Sequence, residues 1–263
     1  MNALSRWTVC ALWLCACGPV TPTMDASGDV AGSSMDQVSP DAAEASRPQR
    51  CEPHEPRCQS ESIEQLPLLI EPSSGSIVTE GELTVVDARA GGQTPSESFV
   101  YARFTDRGLV QVMLDDEASL RSLDWDIAFR RLVIRLNSGV SGPSCVEATE
   151  GPEGVRYDDL TRVLPGTSYR YEGYFTTPSC RLVDDGTLGV PGTVMQGFWS
   201  FVGCLRMTGE VYLVRLRDDR VVKLQVMSYY DPEVQVQCDR DFRVPMRDNG
   251  SGVLRLRWSF MPQ

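Results

Sequence analysis

The chain has 263 residues, enough for one large domain or two small ones. Its net charge of -11 leaves no basic footprint for nucleic acid. The one histidine, His54, excludes a Ser-His-Asp triad, a three-histidine zinc site and a His-rich metal box within a folded domain. Lys223 is the only lysine, and the arginine excess reads as codon usage because no arginine cluster rises above the background.

Residues 1–16 read as a cleaved export signal. Arg6 supplies the positive start, and Trp7 to Ala16 is an apolar run of about ten residues, too short to span a bilayer as a helix. Leu14-Cys15-Ala16-Cys17 resembles the lipobox of bacterial lipoproteins, in which the last cysteine is lipidated and becomes the mature N-terminus. Gly18 follows rather than Asp, so nothing resembles an inner-membrane retention signal. That resemblance implies a membrane partner through a lipid anchor on Cys17, and a place in the cell envelope at the outer membrane.

Residues 17–62 form the next segment. Its first part is rich in Ala, Ser, Asp, Pro and Gly and too poor in apolar residues to offset the entropy of ordering, so it reads as a disordered tether. A coil of this length holds a domain about 30 Å from its anchor. Cys51-Glu52-Pro53-His54-Glu55-Pro56-Arg57-Cys58 then reads as a small disulfide loop rather than a zinc site, because its spacing matches no zinc signature. With Cys10 and Cys15 in the signal and Cys17 lipidated, Cys51, Cys58, Cys145, Cys180, Cys204 and Cys238 remain for disulfides. Order along the chain suggests Cys51–Cys58, Cys145–Cys180 and Cys204–Cys238, although sequence alone does not choose among the connectivities. No base stands near any of them to activate a catalytic thiol.

Residues 63–263 read as one all-β domain of antiparallel strands with long loops. Phe99 to Phe104 and Leu109 to Leu114 flank the turn Asp106-Arg107-Gly108. Asp115 to Leu123 is expected to hold one short helical turn, and no longer helical period is visible. Trp125, Ile127 and Phe129 alternate as sheet-core residues, with Asp124 and Asp126 bonding backbone or Arg130 and Arg131. In Arg131 to Leu136, Leu132, Ile134 and Leu136 share a face, and Asn137-Ser138-Gly139 ends the strand. Residues 139–203 are the least regular and are where long loops and a binding site are expected. Val211 to Arg217 and Val221 to Met227 form a hairpin across Asp218-Asp219, and Val253 to Phe260 closes a sheet with Leu254, Leu256, Trp258 and Phe260 on one face. Adjacent acids such as Asp158-Asp159 and Asp184-Asp185 read as solvated turns, so no catalytic residue is assigned and no enzyme is expected.

Asp124-Trp125-Asp126-Ile127-Ala128-Phe129-Arg130-Arg131, followed by Ile134 to Gly139, resembles the central motif of the HmuY family of lipid-anchored haem-capturing proteins. Val85 to Ala88 and Val100 to Phe104 resemble that family's opening strands. Tyr212 to Arg215, Val222 to Gln225 and Ser228-Tyr229-Tyr230 resemble its closing hairpin. The resemblance implies a sandwich-like, hand-shaped scaffold that binds or acquires haem, with haem or a haemoprotein as partner. The family's haem-binding histidines have no counterpart in this domain. Met195 and Met207, in the irregular region, stand as candidate haem ligands, since a thioether is a soft iron ligand. Phe198, Trp199 and Phe201 would pack the porphyrin, while Met113 and Met227 read as core filler. Tyr157, Tyr169 and Tyr171 are the other possible ligands, with Arg156, Arg162, Arg170 and Arg181 for propionates. The alternative is a ligand-binding or interaction lipoprotein that keeps the scaffold and has lost haem.

Overall fold

A computed structural model describes residues 51–56, 68–92, 94–172 and 192–262. The signal, Cys17, most of the tether, Cys58, Cys180, Arg181 and Asp184-Asp185 lie outside the described residues.

Alternating apolar residues place the described strands in three antiparallel sheets. The largest has β1 (Ile77–Glu80), β2 (Leu83–Asp87), β12 (Val253–Phe260), β11 (Val221–Ser228), β10 (Val211–Arg215) and β7 (Glu147–Glu150), in that order. The second has β4 (Gly108–Val112), β3 (Val100–Thr105), β5 (Ile127–Arg130) and β6 (Val133–Leu136). The third is a small hairpin of β8 (Trp199–Phe201) and β9 (Leu205–Met207). The two larger sheets bury one face each against a common core. Val86, Leu254, Leu224 and Val214 come from the first, and Val100, Phe104, Ile127 and Ile134 from the second. Period-two alternation makes this sandwich possible, since one face of each strand is apolar.

Both outer faces are partly covered. Over the four-stranded sheet, Trp125, Tyr101 and Phe99 form a second apolar cluster with Leu68. This cluster is roofed by residues 68–69 and by α1 (Asp116–Ser119), a single turn capped by Asp115 through its bond from the Ala118 N–H. Over the six-stranded sheet, Tyr157 and Leu160 pack on Val211, Leu213 and Met261. Lys223 fastens that cover by donating to the carbonyls of Tyr157 (2.8 Å) and Leu160 (3.0 Å).

Several local expectations are corrected. Ile127 and Phe129 face the inter-sheet core, but Trp125 precedes β5 and lies on the opposite face. Arg131 does not begin a strand. It adopts φ 53° in the two-residue loop between Arg130 and its partner Val133. Arg130 bonds Asp116 rather than Asp124 or Asp126, whereas Asp126 bonds backbone as expected, accepting from the Phe104 N–H at 2.9 Å. Met113 follows β4 and is exposed. Met227 is turned outward where the β11–β12 register shifts between Val226 and Ser228. A ten-residue helix, α2 (Pro232–Asp241), escapes the period test because the side chains it buries are Gln235 and Cys238, not an apolar stripe.

The disulfides also differ from chain order. Cys51 is bonded to Cys145 across 94 residues, with Cα atoms 6.2 Å apart, so neither Cys51–Cys58 nor Cys145–Cys180 forms. The physical reason is the course of residues 51–56 along the 139–145 turn, where the His54 N–H donates to Pro143 O at 2.9 Å. His54 is therefore bound to the domain, not remote from it, and its ring Nε2 lies 3.3 Å from Gly139 O. The Cys204–Cys238 bond is as expected and ties the β8–β9 turn to α2.

Candidate functional site

The irregular region between β7 and β10 holds the residues singled out for binding. Met195 precedes a single 3-10 turn, Gln196–Phe198, that leads into β8. It has no exposed surface and belongs to the inter-sheet core with Val194, Phe198 and Trp199. Met207 stands opposite Trp199 on β9 and packs against the same core, half-buried. The two methionines are thus in one small unit, and both face inward. Of the three expected porphyrin-packing aromatics, Phe198 and Trp199 fill the core and only Phe201 is exposed. An apolar side chain beside a hairpin is drawn into whatever core the hairpin covers, and sequence shows no difference between that and a ligand pocket.

The tyrosines are dispersed. Tyr157 lies under the cations of Lys223 and Arg257, 4.2 and 4.4 Å from its ring centre. Its hydroxyl and that of Ser259 are 3.1 Å apart, and burial pushes its pKa up. Tyr169 stacks under Arg215 at 4.4 Å, beside a cleft of about 380 Å³ formed with Val163, Leu164 and Met261. Tyr171 is half-exposed, and Arg156, Arg162 and Arg170 are exposed. Asp158 is paired with Arg257 at 2.6 Å, which holds its carboxyl below the usual range.

Two arrangements were not visible in the sequence. The first is built on Glu172, which is fully buried at the end of the described cover loop. Its carboxylate accepts from the Leu136 N–H at 3.2 Å and the Val194 N–H at 3.0 Å, and its own N–H donates to Ser138 Oγ at 3.0 Å. Burial raises its pKa to about 7, against the opposing pull of those two N–H donors and of Arg135 and Arg170. Gly139, at φ 57°, passes so near that an added Cβ would lie 2.7 Å from Glu172 O. A lone glutamate in an irregular loop carries no sequence signal of burial.

The second is a cleft of about 580 Å³ between residues 152–158 and 208–211, floored by Gln225 and Arg257. Carboxylates and arginines line it, and no large apolar face is offered to a flat ligand. Among the described residues no group of three His, Cys, Asp or Glu side chains is placed to hold a metal ion, and no helix is long and apolar enough to cross a membrane.

No family profile matches the sequence, and no curated protein matches it. The chain is similar to solved structures of HmuY-like proteins. One, described as HmuY-like and heme-binding, is from Bacteroides vulgatus, with 14% identity over 71% of this chain and 97% of that one, and a TM-score of 0.43. An apo HmuY analogue from Tannerella forsythia shows 15% identity over 73% and 99%, with a TM-score of 0.39. A protein described as a lipoprotein from Bacteroides fragilis shows 14% over 69% and 93%, with a TM-score of 0.39.

Proposed function

We propose that this chain is an exported envelope protein, anchored to the outer membrane through lipid on Cys17, whose β-sandwich binds a ligand or partner without catalysis and without methionine-held haem. Met195 carries the reading. A thioether ligates iron only where its sulfur reaches the porphyrin, and Met195 has no exposed surface in a core shared by both large sheets. Met207 is packed against the same core, and His54 is committed to the 139–143 turn. These residues do not fit haem as they stand. The scaffold is separate from the site it carries, so the family's ligand does not follow from the family's strands.

A second reading retains haem, because Met195 and Met207 share one hairpin unit. Displacing residues 192–199 from the core would free Met195 and take Trp199 from beside its register partner Met207.

One titration separates the two. Full-length protein is mixed with haemin, oxidised and then reduced with dithionite. The first reading expects no saturable Soret shift in either state. A saturable shift that disappears in the Met195→Ala, Met207→Ala variant establishes the second. Cys17→Ser is expected to move the protein out of the membrane fraction, and its retention there would sink the anchor.

A further inference from the structure

A group of acids at one end of the six-stranded sheet forms no ion pair among the described residues, although Arg156 and Arg170 lie nearby. Glu150 ends β7 and is the register partner of Tyr212 on β10. Directly opposed residues of an antiparallel pair project to the same face. Glu210 immediately precedes β10, and Glu153 lies three residues beyond Glu150. Among the described residues, none of these three carboxylates has a hydrogen-bond or ion-pair partner. Burial and then the charges of Glu150 and Glu153 push the Glu210 carboxyl up. Like charges gathered this way repel, and a cation placed among them relieves the repulsion.

Acids alone do not make a site, but Tyr212 adds an independent observation. Its side chain has no exposed surface, and its hydroxyl has no hydrogen-bond partner. A buried phenol normally finds one. The hydroxyl is turned toward the acids. A Cβ on Gly197 would fall 2.9 Å from Tyr212 Oη and 3.3 Å from Glu150 Oε1, so both atoms face the same small space, open only because residue 197 is glycine. Glu153 and Glu210 also line the 580 Å³ cleft, whose Arg257 is paired with Asp158 and whose other arginine, Arg156, is exposed and forms no ion pair with them.

We infer that Glu150, Glu153 and Glu210, with Tyr212 at their base, bind a guanidinium group. A metal ion demands oxygens converging at about 2.0–2.6 Å, and no such convergence occurs among the described residues. A guanidinium suits dispersed acceptors better. It is planar, weakly hydrated and carries five N–H donors spread over its edges. The group has two possible sources, a small guanidino compound or an arginine side chain of a partner protein. The inference rests on neither the lipid anchor nor the haem question.

Calorimetric titration of the full-length protein with agmatine, and separately with a Gly-Arg-Gly amide peptide, tests it. Saturable binding of at least one probe is expected, weakened about tenfold or more by Glu150→Gln and by Glu210→Gln. Both positions keep some exposure, so the variants should fold, which far-UV circular dichroism checks. Gly197→Ala should abolish binding with every carboxylate intact. Equal affinity for the two probes identifies a small ligand. Peptide binding at least tenfold tighter identifies a partner's arginine. Binding of neither probe, binding unchanged in both glutamine variants, or displacement by equimolar calcium would overturn the site.

Discussion

Asp116 and Arg130 meet 3.1 Å apart beneath the outer cover of the four-stranded sheet, with neither side chain appreciably exposed. Asp116 also accepts from the N–H groups of Leu69 (3.0 Å) and Phe99 (2.8 Å) and from the Tyr101 hydroxyl (2.8 Å). One carboxylate therefore holds a strap, a strand and a guanidinium. Arg130 in turn lies 4.0 Å over the Phe99 ring. Removing one partner of a buried pair leaves the other charge without its main compensation, at about 3–5 kcal/mol. Asp116→Ala is expected to lower stability by that order in urea unfolding. A loss under about 1 kcal/mol would mean that the cover is not held this way.

Asn137 is a second pin in the same region. Its Nδ2 donates to the carbonyls of Ser122 (3.0 Å) and Trp125 (2.7 Å), and its Oδ1 accepts from the Ser144 N–H (3.2 Å). Asn137→Ala strands two buried groups, the Trp125 carbonyl and the Ser144 N–H, and the part-buried Ser122 carbonyl. Each orphaned group costs about 1–3 kcal/mol, so a loss of about 3 kcal/mol or more is expected in thermal or urea unfolding. Asn137→Asp keeps the acceptor and loses both donations, and it should be nearly as damaging.

Glu172 gives a pH dependence with a defined sign. Its folded pKa of about 7 lies above the ordinary 4.5. Between those values the folded state holds a proton that the unfolded state has released. The contribution to stability is therefore complete below about 4.5, falls as pH rises, and is gone above about 7. Asp126, raised by burial to about 6, acts in the same sense, so the wild-type slope contains both groups. Comparison with Glu172→Gln isolates the first. The variant's stability should change less between pH 5 and pH 7.5, by urea midpoints at a series of pH values. Parallel curves for the two proteins would show that Glu172 does not titrate there.

The disulfide arrangement is open to direct mapping. Digestion without reduction should release a peptide pair joining Cys51 to Cys145, and another joining Cys204 to Cys238. A Cys51–Cys58 peptide would contradict the structure. By loop-closure entropy, losing Cys204–Cys238, with its separation of 34 residues, is expected to cost about 3–4 kcal/mol. The double variant Cys204→Ser, Cys238→Ser should unfold at correspondingly lower denaturant.

The strands were legible where two local signals agreed. Val253 to Phe260 alternates cleanly and forms β12 with its expected bounds. The turn at Asp106-Arg107 joins β3 to β4 as read, since Thr105 bonds both the Gly108 carbonyl and the Arg107 N–H. Misreadings arose where a residue's neighbours come from far along the chain. Trp125 has the right spacing to face the core, but its Nε1 donates to Ser119 O and its ring stands edge-on to Tyr101, which draws it to the other face. Cys51 lies beside Cys145 in a segment whose His54 N–H bonds the Pro143 carbonyl, a contact between residues far apart in the chain that no local window shows. Glu172 and Tyr212 are the extreme case. Nothing in their sequence windows indicates that one is a buried hub and the other a phenol without an acceptor, since both conditions are set by strands that arrive from elsewhere.

The Cys51–Cys145 bond encloses every strand from β1 to β6 in one covalent ring. Tension arriving along the chain from the N-terminal side passes through the two sulfurs to the start of β7, bypassing the ladders inside that ring. If the chain is anchored through Cys17 as proposed, a pull on that anchor would load β7 and its neighbour β10 first, leaving the whole four-stranded sheet outside the covalent path until the disulfide is reduced.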